Sequence, residues 1–129
     1  MDEQEIRKFF EKDGYAAACG ITIDQVSEGC ATCSFEVKPH HLNAGNVVQG
    51  GALFTLGDFA FAVAANAKGC KTVSLENQIT FMHSAKGKKI VATATEISAA
   101  KNVCFYQVEL SDDNGRTVAR MSVTGYCLE

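Results

Sequence analysis

The sequence lacks several features that would have pointed to particular functions. Its net charge is −3 over 129 residues, so it has no basic excess of the kind that nucleic-acid binding requires. The first twelve residues are highly charged and hold no long apolar segment, so no secretory signal is indicated and we expect a cytoplasmic protein. There are no repeats, linkers or low-complexity segments, and the only proline, Pro39, is interpreted as a break between elements. This length predicts one domain spanning residues 1–129.

Six cysteines are present, but their pattern favours neither disulfides nor a metal site. Without an export signal we expect reduced thiols, buried in the apolar segments that contain them. Cys30 and Cys33 form a C-x-x-C on a strand-like run, and no second pair follows at the spacing of a zinc site. The sequence therefore predicts no metal.

One stretch of the chain is almost free of charge. Between Leu42 and Ala67 the only charged residue is Asp58, and the residues around it are apolar on every side, as is typical of a buried helix. A length of about 18 residues and a central carboxylate argue against a membrane span. A lone buried carboxylate is costly unless it is hydrogen-bonded or faces a wet cleft. Asp58 is therefore either a structural residue, held by Thr55 or by the backbone, or a functional one.

The start of this predicted helix is rich in glycine. Gly50 and Gly51 would begin it, and the first N–H groups of a helix have no partner within the helix and lie at the positive end of its dipole. Such amides can stabilise a carbonyl oxygen that becomes negative during a reaction. Gly50 and Asp58 are eight residues apart, which is about 12 Å along one helix. If both act on one small group, a second copy of the chain must supply one of them.

Strand-like runs lie on both sides of the helix. They cover residues 21–26 and 31–37 before it, and 71–82, 89–99, 102–111 and 116–127 after it. An amphipathic helix is predicted from Asp2 to Asp13 with Gly14 ending it, and Asp112-Asp113-Asn114-Gly115 is typical of a hairpin turn. Because strands and helices do not alternate, this order predicts an α+β fold with an antiparallel sheet packed on the helix.

The central stretch resembles a known family. The signature of hotdog-fold acyl-CoA thioesterases of the phenylacetic-acid-degradation type is matched by Asn43, Gln49-Gly50-Gly51, Leu53-Phe54-Thr55-Leu56, Asp58 and Ala60-Phe61-Ala62. The likeness continues through Val73–Glu76, Ile79–Met82 and Ala85–Gly87, so it covers essentially the whole chain. It departs at Gln49, where many members have His, and at Gly57, where many have Ala. The resemblance implies the hotdog fold, an antiparallel sheet wrapped around one long central helix, with strand edges paired between subunits.

The resemblance also implies an activity and its residues. Asp58 would attack a thioester or activate the attacking water, and the Gly50 amide would donate to the thioester oxygen. Further catalytic candidates are Asn43, Gln49 and Ser74, and candidates for substrate contact are Gly51, Thr55, Phe59, Phe81, His83 and Lys86. Structural alternatives stay open for several of them: a turn residue at Asn43, a hydroxyl that bonds only its neighbours at Ser74, core packing for the phenylalanines and a solvated turn at Lys86. The products would be a carboxylic acid and coenzyme A, which belongs to the substrate, so no cofactor is expected. The acyl group would be aryl or short to medium in length.

The implied assembly is a homodimer, or a homotetramer made of two dimers, with active sites shared between chains and with no nucleic-acid or membrane partner. Two other functions stay open at this point. One is a non-catalytic acyl-CoA-binding sensor of the same fold, and the other is a hydratase or dehydratase, although Gln49 does not supply the His that such enzymes pair with an acidic residue. Ser74 is not predicted to be a nucleophile because no G-x-S-x-G elbow surrounds it. The histidines are interpreted as loop or surface residues: His40, His41 and His83.

Overall fold

A six-stranded sheet curves around one long helix. In the computed structural model, which describes residues 1–128, the strand order is β1-β2-β4-β5-β6-β3 and all neighbours are antiparallel. The strands are β1 Thr22–Ser27, β2 Cys30–Glu36, β3 Thr72–Phe81, β4 Lys89–Ala99, β5 Val103–Asp112 and β6 Thr117–Cys127. The helices are α1 Glu3–Phe10, α2 Gly14–Ala18 and α3 Gly50–Asn66, with a 3-10 turn at Pro39–His41. The predicted α+β arrangement, with an antiparallel sheet around a central helix, is confirmed.

Helix α3 forms the centre of the core and contacts all six strands. Many of its side chains are buried, among them Leu53, Leu56, Ala60, Val63 and Ala64. Burying one large apolar side chain contributes about 1.5–3 kcal/mol to stability. The glycine at position 57 has a physical reason, because the Sδ atom of Met121 fills the place where a Cβ would stand. No helix within residues 1–128 combines the length and the apolar character needed to cross a bilayer.

The end of α3 is tied to the start of β3 by a single side chain. Asn66 is 7% exposed, and its Nδ2 donates to the carbonyls of Ala62, at 2.7 Å, and Thr72, at 3.1 Å. Its Oδ1 accepts from the Thr72 N–H at 3.1 Å. Every polar atom of this amide is used, so β3 leaves α3 in a fixed direction and runs back along the helix.

Strand β3 forms one edge of the sheet and contains a bulge. Ser74 pairs with Gly125 and Glu76 with Thr124, which leaves Leu75 as an extra residue that opposes no partner. A bulge shifts the alternation of faces by one residue. Ser74 pairs with the buried Gly125 and Asn77 with the buried Val123. Ser74 and Asn77 therefore lie on the same inner face of the sheet, although three positions separate them in the sequence.

The N-terminal region differs from its prediction. One helix was expected from Asp2 to Asp13, but the structure has two, α1 and α2. Asp2 caps α1 by accepting from the Glu5 N–H, and Asp13 caps α2 by accepting from the Ala16 N–H. Gly14 thus begins a helix instead of ending one, because the aspartate before it supplies a cap.

His41 was predicted to be a loop or surface residue; it lies in the loop before α3 but not at the surface. It is 3% exposed and stacks on Phe35, with ring centroids 4.1 Å apart. Its Nδ1 accepts from the Lys38 N–H at 2.9 Å, so its Nε2 is the donor to the carbonyl of Cys19 at 2.8 Å. The ring holds the loop before α3 against the N-terminal segment.

The expectation that all thiols are reduced is wrong in this structure. Cys70 and Cys127 form a disulfide with their Cα atoms 5.9 Å apart, a normal separation for such a bond. They meet because the start of β3 pairs with the end of β6, a long-range contact that sequence spacing does not reveal. Cys30 and Cys33 are free, and burial together with nearby Asp24 raises the pKa of Cys33 to about 12.

Candidate active site

The carboxylate of Asp58 has one side-chain partner, and it comes from β3. Asn77 Nδ2 donates to Asp58 Oδ1 at 2.8 Å. No hydrogen bond within residues 1–128 reaches the other carboxylate oxygen, and Asp58 is only partly buried. The structure therefore fixes one oxygen of Asp58 and leaves the second available to a reacting group.

The partner residue is itself only half satisfied. The Oδ1 atom of Asn77 is buried and has no hydrogen-bond partner among the described residues. The orientation of the amide is determined, since a carboxylate can only accept from Nδ2. Leaving a buried acceptor unpaired costs about 1–3 kcal/mol. This unpaired acceptor lies beside the one carboxylate on α3.

The first two N–H groups of α3 make no hydrogen bond within the described chain. The N–H groups of Gly50 and Gly51 donate to no acceptor among the described residues, whereas the Ala52 N–H returns to the Gln49 carbonyl at 2.9 Å. Phe81, at the end of β3, packs directly on Gly50, so a Cβ there would lie 2.9 Å from the ring. Because Gly50 meets Phe81 and Asp58 meets Asn77, both candidate groups lie on the side of α3 that β3 crosses.

The polar residues before α3 are placed by the loop. Gln49 is the N-cap residue, and its side chain folds over Gly51, where its Oε1 occupies the space of a Cβ. Asn43 Oδ1 accepts from the N–H groups of Gly45, at 2.8 Å, and Val47, at 3.3 Å. The side-chain oxygen of Asn43 is thus used inside the loop, as in an ordinary turn.

Two predicted contacts differ from what the structure shows. Thr55 does not hold Asp58, because its hydroxyl donates to the Gly51 carbonyl one turn back, at 2.8 Å. Phe59 is 6% exposed and its ring packs edge-on against Phe10 of α1, with centroids 5.4 Å apart. Phe59 therefore belongs to the core on another side of the helix, while Phe81 remains beside the uncovered amides.

Three further predicted residues are not in contact with Asp58. Ser74 is exposed on the inner face of β3, two paired positions from Asn77 and so about 7 Å further along the strand. His83 and Lys86 lie just beyond the end of β3, where they line a surface depression together with Arg116. This depression is separate from Asp58 and Gly50, which are not among its lining residues.

Sequence reasoning missed Asn77. A signal was present, because residues 77, 79 and 81 share one alternating phase of the strand and the other two are Ile79 and Phe81. An amide in the apolar phase of a strand needs a hydrogen-bond partner, and Asp58 is the only charged residue in the predicted core helix. Within the described part of the chain, no group of three or more His, Cys, Asp or Glu residues lies close enough together to hold a metal ion.

Comparison with known proteins places the chain in a family. Residues 45–119, which include α3 and β3, match the family model described as the thioesterase superfamily. The chain belongs to the thioesterase superfamily. Its members share the hotdog fold that the sequence predicted, and the chain is a thioester hydrolase.

Two members of the superfamily indicate the type of thioesterase. The acyl-coenzyme A thioesterase PaaI of Escherichia coli is 33% identical over 117 residues, which cover 90% of this chain and 84% of the relative. Its solved structure superimposes with a TM-score of 0.93 at 30% identity, over 98% of this chain and 92% of that one. A mutant of the phenylacetic acid degradation protein PaaI from Thermus thermophilus gives a TM-score of 0.84 at 28% identity, over 88% and 98% of the two chains.

Proposed function

We propose that this thioesterase hydrolyses acyl-CoA esters in sites built from two copies of the chain. The observation that carries the proposal is a pair of groups on the β3 side of α3. The Gly50 N–H has no acceptor among the described residues, and the Asp58 carboxylate is held by a hydrogen bond to only one of its oxygens. The amide would donate to the thioester oxygen as it becomes negative, and removing one such donor typically costs about 2.7–4 kcal/mol. Asp58 would attack the carbonyl carbon or deprotonate the attacking water.

The two groups cannot serve one thioester from the same chain. They are separated by eight residues of a continuous helix, about 12 Å along its axis. Two α3 helices packed antiparallel about a twofold axis would bring Gly50 of one copy beside Asp58 of the other. A dimer is the smallest assembly with this geometry, and a tetramer would contain two such pairs.

The surface of β3 fits this assembly. As an edge strand it presents unpaired backbone groups, which edge strands commonly use to pair with another chain. Exposed apolar side chains lie along and just after it, at 41% to 61% exposure: Val73, Leu75, Phe81 and Met82. A second copy would cover these side chains and the partly exposed stripe of α3 that contains Asp58.

The acyl-CoA part of the proposal rests on the E. coli relative, which is named an acyl-coenzyme A thioesterase. Lys86 and Arg116 line a depression beyond the end of β3 together with His83 and Asp112, and these two cations would meet the phosphates of coenzyme A. Phe81 would contact the acyl group because it packs beside Gly50. A panel of aryl and short-to-medium acyl-CoA esters, assayed for release of free thiol, tests the substrate class, and tight binding without thiol release would indicate a sensor instead.

The shared site is tested with two inactive variants. Asp58→Asn removes the charge with little change of shape, and we expect turnover to fall by about 10²–10⁴-fold. Gly50→Pro removes the N–H group, and the proline ring would also displace Phe81. Both changes lie at the start of α3, away from Asp58 of the same copy. When the two are unfolded and refolded together, half of the dimers should be hybrids, each with one intact site.

Activity of the mixture should therefore return to about a quarter of wild type by this counting. Mixing each variant with wild-type chain provides the control for refolding yield. If hybrids form and the mixture stays inactive, each chain carries its own complete site.

A further inference from the structure

We propose that Asn77 is a positioning residue that holds the Asp58 carboxylate in its reactive orientation. This inference rests on the proposed catalytic role of Asp58. Its basis is the 2.8 Å hydrogen bond from Asn77 Nδ2 to Asp58 Oδ1, together with the absence of any partner for the buried Oδ1 of Asn77 among the described residues.

The hydrogen bond from Asn77 restricts the orientation of the Asp58 carboxylate. A carboxylate on a helix can rotate about two side-chain bonds, and a hydrogen bond to one oxygen fixes which oxygen points toward the substrate. Asn77 reaches Asp58 from β3, whose direction is fixed by Asn66 at its start and whose end packs on Gly50. Through this hydrogen bond, β3 limits the rotation of the Asp58 side chain and fixes the position of its carboxylate relative to the sheet.

The unpaired oxygen of Asn77 also indicates a role beyond folding. Asn77 stands on the inner face of β3 in the same phase as Ile79 and Phe81, where an apolar residue would leave no unsatisfied group. An asparagine that only stabilised the fold would use both ends of its amide, as Asn66 does. Asn77 uses only the end that meets the carboxylate, so its contribution is to Asp58 and not to the packing of the strand.

The bulge at Leu75 supports this assignment. It places Ser74 on the same face as Asn77, so the strand presents a hydroxyl and an amide toward the side of α3 that carries Asp58. Without the extra residue, two positions three apart would face opposite sides of the sheet. The irregularity of β3 is therefore found where its polar groups face the site.

The test compares Asn77→Leu with wild type in steady-state kinetics and in urea unfolding. Leucine matches the size of asparagine and cannot donate a hydrogen bond. We expect kcat to fall by about 10- to 100-fold, as small misplacements of a reacting group do, with KM within about threefold of wild type. The unfolding midpoint should stay close to that of wild type, because the loss of the hydrogen bond to Asp58 is offset by the removal of the unpaired oxygen.

Two further variants sharpen the result. Gln78→Leu is the matched control, since Gln78 is adjacent but exposed on the outer face, and it should retain wild-type kcat. Asn77→Asp preserves shape and polarity in case the leucine variant folds poorly. It should also lose kcat, because its carboxylate cannot donate and repels Asp58.

The decisive comparison is made in the Asp58→Asn background. If Asn77 acts through Asp58, adding Asn77→Leu to Asp58→Asn should slow the residual reaction by less than twofold. The inference is wrong if kcat of Asn77→Leu stays within threefold of wild type, or if it falls only together with the unfolding midpoint. It is also wrong if neither Asn77 variant folds, or if Asn77→Leu slows Asp58→Asn as much as it slows wild type. A fully active Asp58→Asn, or a wild type inactive on every acyl-CoA ester, would instead overturn the proposed function and this inference with it.

Discussion

The two ends of β3 differ in how completely they are tied to the rest of the molecule. At the start, Cys70 is bonded covalently to Cys127, and Asn66 bonds both backbone groups of Thr72. Further along, Asn77 leaves an oxygen unpaired and Phe81 is 53% exposed.

The comparison shows how one strand can serve stability and chemistry at once. Local stability is not uniform across a protein, and functional groups tend to lie where it is low. The backbone pairing of β3 with β6 continues to Phe81, so the rest of the strand keeps its place along α3 although the side chain of Asn77 is only partly paired and that of Phe81 is partly exposed. The anchored end positions the strand, and the remainder presents groups to the site.

The largest effect is expected from removing the disulfide. Cys127→Ser opens a cross-link between residues 57 apart in sequence, and we expect the free energy of unfolding to fall by about 4 kcal/mol. Turnover of the folded protein should stay within about threefold, because Asn66 still holds the strand. Urea denaturation without reductant measures this, with Cys30→Ser as a control that removes a free thiol. Protein purified without reductant should show four free thiols when denatured, and six would contradict the bond.

A smaller loss of stability is expected at Asn66. Asn66→Leu leaves both backbone groups of the buried Thr72 without their side-chain partner, so the free energy of unfolding should fall by about 2–4 kcal/mol. No such loss is expected for Asn77→Leu, and the two variants measured in the same urea series would separate the two ends of β3. Equal losses at both positions would remove the distinction drawn between them.

The smallest effect concerns the glycines that begin α3. Gly50→Ala keeps the amide but places a Cβ 2.9 Å from the Phe81 ring, so the end of β3 must shift, and we expect kcat to fall by about tenfold. Gly51→Ala meets only the exposed side chain of Gln49, which can swing away, so its loss of kcat should be smaller. If Gly51→Ala were the more damaging of the two, the contact between Phe81 and Gly50 would not be what positions this end of the strand.

The sequence carried enough information for the fold. The charge-free run around Asp58 predicted α3, alternation predicted the strands, and the β4 limits Lys89–Ala99 agree with the structure. The N-terminal helices were less predictable because two short, capped helices compete with one longer helix over the same residues.

The candidate site was only partly predictable. Asp58 and the glycines are local features of a motif, but their partners come from β3, and only tertiary packing brings Asn77 and Phe81 against α3. The roles of Asp58, Gly50, Asn43, Gln49 and Ser74 stay predictions. Cys70 and Cys127 illustrate the same limit, since their pairing follows from strand order and not from their spacing.

The extra residue in β3 behaves like a frameshift in the alternation of the strand. Before Leu75 the inward-facing positions have even numbers, at Thr72 and Ser74, and after it they have odd numbers, at Asn77 and Ile79. Deleting Leu75 would move the side chains of one half of the strand to the opposite face of the sheet. A change of length in the Asp113–Gly115 turn would alter only a loop. An odd spacing between two strand residues that share a face is therefore a readable sign that the strand contains an insertion between them.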